Sequence, residues 1–262
     1  MNKAIVIAAL FFVGIAPAHL LAQDSGTAVH KLTLGAYYGE GDYGGTQDTE
    51  IAYFPLTYEI AKFPWVFSVT APFLALKGPG DVFLDTGNVA RPDARSDTTI
   101  SEQGLGDVVL SGSYQFQPIF NDFAFVDFSV KLKLPTANEK EELGTGEFDV
   151  SYQLDFYQTV ASTTWFSNIG YRDRGKTPLY ELSDSAYFSL GAMQQITESS
   201  SIGLVYDFRE AAAKSSVESH ELMPFYSWTP ASDWTLMFYT IVGFTNSSAD
   251  RVVGFQLSHT FP

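Results

Sequence analysis

The chain has 262 residues, 15 Lys and Arg against 30 Asp and Glu, a formal net charge of -15 and no cysteine. Without cysteine there are no disulfides, thiolate metal centres, cysteine nucleophiles or lipidated N-terminal cysteine. Scattered basic residues on an acidic chain argue against nucleic acid as a partner, because phosphate neutralisation needs clustered Lys and Arg.

The first residues, Met1-Asn2-Lys3, are followed by an apolar run from Ala4 to Ile15 and by small residues at Ala16, Ala18 and Ala22. A basic start, a short apolar stretch and a small-residue exit predict a secretory signal peptide over residues 1–22, cleaved after Ala18 or Ala22. Removing it takes the net charge from -15 to -16, since Lys3 is its one charged residue. No later segment has the eighteen uninterrupted apolar residues of a transmembrane helix, so a membrane-spanning form of residues 23–262 has to be a β-barrel.

In chain order, period-two alternation predicts strands near residues 29–38, 48–61, 64–76, 104–117, 122–135, 147–160, 164–172, 185–197, 200–209, 219–229, 233–245 and 250–261. The fifth, "FAFVDFSVKLKLPT", puts Asp127, Ser129, Lys131 and Lys133 on one face and Ala124, Val126, Phe128, Val130, Leu132 and Leu134 on the other. Short connections at Lys62-Phe63, Pro118 to Asn121, Ala161 to Thr163, Glu198-Ser199 and Pro230 to Ser232 alternate with longer ones. These are Gly39 to Gln47, Lys77 to Gln103, Thr136 to Gly146, Asp173 to Asp184, Glu210 to Glu218 and Asn246 to Ala249. Tight turns at one end and longer polar loops at the other describe an all-β fold, a transmembrane antiparallel up-and-down β-barrel of 12 strands. A sandwich with Greek-key crossings has no reason to sort its loops by end.

Trp65, Trp165, Trp228 and Trp234 each lie beside a short turn. Indole combines an apolar ring with an N–H that wants a partner, so all four are expected as membrane-interface anchors at the periplasmic end. Tyr37, Tyr38, Phe73, Tyr171, Tyr187, Phe208 and Phe244 lie toward the other end and are expected to form the outer girdle.

The inward parity predicts a charged lumen of Asp107, Asp127, Lys131, Lys133, Asp149, Asp155, Arg172, Asp207 and Arg209. Pairing strands through their turns puts Lys131 opposite Asp107 and Lys133 opposite Asp149, so these charges either neutralise one another in a filled barrel or form an eyelet in a solute pathway. The long connection 77–103 carries Asp81, Asp85, Asp93 and Asp97 beside Arg91 and Arg95. It reads as a solvated rim loop; an inward lid or a cation site are alternatives, although EF-hand spacing is absent. Ser219-His220-Glu221 resembles a catalytic set as text, yet adjacent strand residues alternate faces and cannot converge, so no enzyme is expected. No metal or cofactor is implied.

"GLGDVVLSGSYQF" (Gly104 to Phe116), "VKLKLPT" (Val130 to Thr136), "LGTGEFD" (Leu143 to Asp149) and "NIGYR" (Asn168 to Arg172) resemble landmarks of the outer-membrane β-barrel family associated with the meta-pathway of phenol degradation. The likeness covers the middle third of the chain, and Phe261-Pro262 departs from the terminal aromatic of most such barrels. What it implies is a barrel moving small hydrophobic or aromatic compounds across the outer membrane of a Gram-negative bacterium. The expectation is therefore a passive channel for small solutes, with outer-membrane lipid, lipopolysaccharide and the barrel-assembly machinery as partners. The alternatives are a filled structural or surface-interaction barrel and, after it, an outer-membrane lipid-modifying enzyme.

Overall fold

The computed structural model describes residues 27–43, 47–79, 83–85, 88–90, 99–117, 124–141, 143–176, 182–213 and 216–262. The expected signal segment, the turn from Pro118 to Asn121, and Asp81, Arg91, Asp93, Arg95 and Asp97 of the long connection lie outside the described residues.

The barrel strands are β1 (Val29–Gly41), β2 (Thr49–Lys62), β3 (Trp65–Pro79), β4 in two segments (Thr99–Leu105 and Val108–Gln115), β5 (Phe125–Leu134) and β6 (Asp149–Val160). They continue as β7 (Thr163–Asp173), β8 (Ser185–Thr197), β9 (Ser200–Arg209), β10 (Ser219–Ala231), β11 (Trp234–Gly243) and β12 (Arg251–Phe261). Each pairs antiparallel with its neighbours in sequence, and β1 pairs with β12 from His30↔Phe261 to Glu40↔Arg251, so the sheet closes. Closure removes the free edges whose unpaired N–H and C=O groups would each cost several kcal/mol in hydrocarbon. The expected count of twelve holds, because both segments of β4 run along β3.

The fourth strand is where expectation and structure differ. It starts at Thr99 rather than Gly104, and β3 runs on to Pro79, so the connection between them is shorter than residues 77–103. Within it a short hairpin pairs Phe83–Asp85 with Asn88–Ala90. The reason lies in a β-bulge. Phe73 faces Leu105 and Thr70 faces Val109, so Gly106, Asp107 and Val108 stand opposite only Ala71 and Pro72. An extra residue reverses the inward parity, so a period-two reading that starts at Val108 fails before it. Pro72 lacks an N–H, and its carbonyl accepts from Gly106 N at 2.9 Å. Thr136 satisfies two further bulge groups: its hydroxyl accepts from Val108 N at 2.9 Å and donates to Gly106 O at 3.1 Å.

The exterior is that of a membrane-spanning barrel. Leu32 and Leu34 on β1, Phe54 and Leu56 on β2, Tyr152 and Leu154 on β6, and Ile202 and Leu204 on β9 all point outward and are exposed. All four tryptophans are outward, between 38% and 51% exposed, in the band beside the short turns. Tyr38, Phe73, Tyr171 and Phe244 are exposed toward the long-loop end. Tyr37 and Tyr187 share the inward parity instead, with Tyr37 buried, and they leave the expected outer girdle.

Candidate functional site: the barrel lumen

Every one of the nine charged residues expected inside takes the inward parity of its strand, and none is exposed. Lys133 on β5 is the hub of one group, with only 3% of its side chain exposed. Its Nζ lies 3.1 Å from Asp107 Oδ2 and 3.0 Å from Asp149 Oδ2, and donates to Thr145 Oγ1 at 2.8 Å. Each carboxylate uses its other oxygen to hold loop backbone: Asp107 Oδ1 accepts from Ala137 N and Asp149 Oδ1 from Gly175 N, both at 2.9 Å.

The expected facing pair Lys133↔Asp149 is therefore present in the register, whereas Lys131 does not face Asp107. Lys131 pairs with Ser111 and Ser151, a β4–β5 register four residues from the expected one, and Asp107 lies just beyond the end of that ladder at Val108↔Leu134, within reach of Lys133. Three of the quoted sequence segments meet here: Gly106-Asp107, Lys133 with Thr136, and Thr145 with Asp149.

This hub folds a loop into the mouth. Leu143, in the connection between β5 and β6, is 2% exposed and joins the interior apolar cluster. It packs so closely over Gly104 that a Cβ there would lie 2.8 Å from Leu143 Cδ1. Tyr43, at φ 46°, is also buried at this end, and burial pushes its phenol pKa above the ordinary range.

Deeper in the lumen, Lys131 Nζ donates to Gln153 Oε1 at 3.2 Å, and Gln153 Nε2 donates to Asp155 Oδ1 at 2.6 Å. Ser129 Oγ reaches Asp155 Oδ2 at 3.3 Å, and Asp127 stands directly opposite Asp155. Asn168 Nδ2 donates to Ser189 Oγ at 2.6 Å, while Tyr187 donates to Gln153 Oε1 at 3.0 Å. Arg172 Nε donates to Ser151 Oγ at 3.2 Å. Arg209 lies between Asp207, at 2.8 Å, and Glu221. Together these residues of β4 to β10 make a polar wall.

A second, apolar lining was not foreseen from the alternation. On β1 to β3 and β8 to β12 the inward positions include Leu74, Tyr53, Tyr37, Tyr239, Phe225 and Met193, all in one buried apolar cluster. They are neighbours in register. Leu74 pairs with Tyr53, Tyr53 with Tyr37, and Tyr37 with Gly254. Gly254 pairs with Tyr239, Tyr239 with Phe225, Phe225 with Gly203, and Gly203 with Met193. The interior is thus not filled by ionised groups alone, as the alternation had suggested. The available signal was weak: each strand contributes one or two such residues, and only the register aligns them.

Ser219 and Glu221 face the lumen, while His220 faces outward and its Nδ1 is bonded to Tyr206 OH at 2.7 Å, so the three do not converge.

No protein-family model matches the chain, and no curated protein matches it in sequence. Solved structures do match its fold. An outer-membrane channel from Pseudomonas putida F1 superposes with a TM-score of 0.62 at 11% identity, covering 92% of this chain and 97% of that one. The CymD monoaromatic hydrocarbon channel gives 0.50 at 10% identity, with 97% and 94% covered. The translocator domain of the autotransporter NalP from Neisseria meningitidis gives 0.50 at 8%, with 93% and 91% covered. At these identities the likeness is one of fold.

Proposed function

We propose that the chain is a passive, non-energised outer-membrane channel for small solutes, best matched to those that combine an apolar ring or chain with a polar group. The observation that carries this reading is the mixed lining of the lumen: charged and amide groups concentrated on β4 to β10, aromatic and methionine side chains concentrated on β1 to β3 and β8 to β12, with Tyr157 and Phe166 among the former and the Lys31–Glu59 pair among the latter, inside a cylinder whose exterior is apolar. A solute crossing it can keep a hydrogen-bonding group on the polar wall while its apolar part remains out of water. Asp107, Asp127, Lys131, Lys133, Asp149, Asp155, Arg172, Asp207 and Arg209 are charged groups of that pathway, together with Glu221.

The shared fold with the Pseudomonas putida channel and the monoaromatic hydrocarbon channel supports transport. The segments from Gly104 to Arg172 support a place in the phenol meta-pathway group. Export by the N-terminal signal segment, folding by the barrel-assembly machinery, and contact with outer-membrane lipid and lipopolysaccharide belong to the same reading. It assigns no catalytic step.

A second reading, a filled structural barrel, is favoured by the tight packing of the interior, where Asp155 is 1% and Met237 2% exposed. Purified protein in a planar bilayer separates the two. A channel gives reproducible unitary currents in KCl, and a filled barrel gives none at any voltage the bilayer withstands.

A further inference from the structure

The apolar row across the strands has a direction. Strands of a closed barrel tilt against its axis, so a row of directly paired residues climbs the wall as a spiral rather than ringing it at one level. Its upper end is Leu74, in the long-loop half of β3, whose other neighbour Gly104 lies beneath Leu143. Its lower end is Met193, whose next partner Thr164 lies beside the short turn between β6 and β7. The row thus runs from the loop at one mouth toward the turns at the other.

Two features suit it to a moving ring. The ring of Tyr239 occupies the space that a Cβ on Gly254 would need, and the ring of Phe225 does the same at Gly203. Each aromatic side chain is therefore seated over a glycine against the wall instead of projecting across the bore. Met193, Met223 and Met237, all the methionines beyond Met1, are buried in the same cluster. Unbranched thioethers repack around an entering group at little cost, where branched side chains would resist.

The geometry points to this row as the path of a solute, with a single apolar or aromatic ring as the group it recognises, passed from beneath Leu143 to Met193. The inference rests on the channel reading, adds a path to it and narrows the apolar part of the solute to a single ring. The polar wall opposite takes the solute's charged or hydrogen-bonding end.

The test compares two cations that differ by one ring, benzylammonium and methylammonium, as blockers of the K+ current through purified protein in planar bilayers. Wild-type protein is expected to be half-blocked by benzylammonium at a concentration roughly tenfold below that needed for methylammonium, because the ring gains apolar burial and stacking. Tyr239→Leu removes the ring from the track, and Gly254→Ala pushes it off the wall. Both are expected to shift benzylammonium block by about threefold or more while methylammonium block stays in place. A variant that carries K+ current is folded, so either one suffices. Equal block by the two cations, or unaltered benzylammonium block in a conducting variant, would overturn the track and leave the channel standing. Absence of any K+ current in the wild type would overturn the channel and the track with it.

Discussion

Lys133 and Asp107 come from different strands with different inward parity relations to their neighbours, yet Nζ and Oδ2 lie 3.1 Å apart because a bulge at Gly106 turns the aspartate into the lumen. Asp149 and Thr145 complete the shell of the ammonium. Asp107 also holds the backbone of Ala137 in the loop that carries Leu143, and Asp149 that of Gly175 in the connection after β7, so the hub couples the barrel wall to both loops.

Lys133→Ala should therefore do two things. It leaves two carboxylates buried without their cation, which costs about 3–5 kcal/mol when a buried pair is broken. It also frees the loop from 135 to 148. The expected outcome is a lower unfolding midpoint in urea for the detergent-solubilised protein, with faster tryptic cleavage at Lys140. Unchanged cleavage at Lys140 in a destabilised variant would show that Leu143 packing alone holds the loop.

Lys131 plays a different part: its ammonium donates to Gln153 and it stands on the wall below the hub. Lys131→Ala should keep the fold and move ion preference toward cations, read as a shift in reversal potential across a KCl gradient. A reversal potential identical to wild type would remove Lys131 from the ion path.

Outside the membrane, Asp184 accepts hydrogen bonds from Lys176 Nζ and, at 3.1 Å, from Arg174 N. The Lys176 contact and then the backbone one hold its carboxyl below the ordinary aspartate range. A depressed folded value means that the contribution to stability is complete above the ordinary range and is lost as pH falls through the folded one. Direct titration of the Asp184 carboxyl by NMR should give a midpoint under that of a model aspartate, and Lys176→Ala should raise it. Because the pair is partly exposed, the effect on global stability is within about 1 kcal/mol.

The strand count, the alternation of turns and loops, and the outward tryptophans were legible because each is local. Period two and turn residues can be read along one segment. The bulge was not legible, since Gly106-Asp107 becomes an inserted step only when β3 supplies Ala71 and Pro72 opposite it. The same holds for the inner apolar wall. Tyr37 and Tyr187 looked like girdle residues by their distance from the turns, and parity, once the register is known, turns them inward. Lys133 with Asp149 was within reach of turn-centred pairing, whereas Lys131 with Asp107 failed by four residues, because Ser111 takes the facing position in the β4–β5 register.

All of these expectations depend on hydrocarbon contacting the exterior. Trp65, Trp165, Trp228 and Trp234 report on it directly, because all four lie outward beside the short turns. Protein reconstituted into bilayers of brominated lipids should show strong tryptophan quenching, greatest with bromine near the headgroups and weaker with bromine at the midplane. Tryptophan emission indifferent to the brominated chains, from protein that stays monodisperse without detergent, would contradict the account.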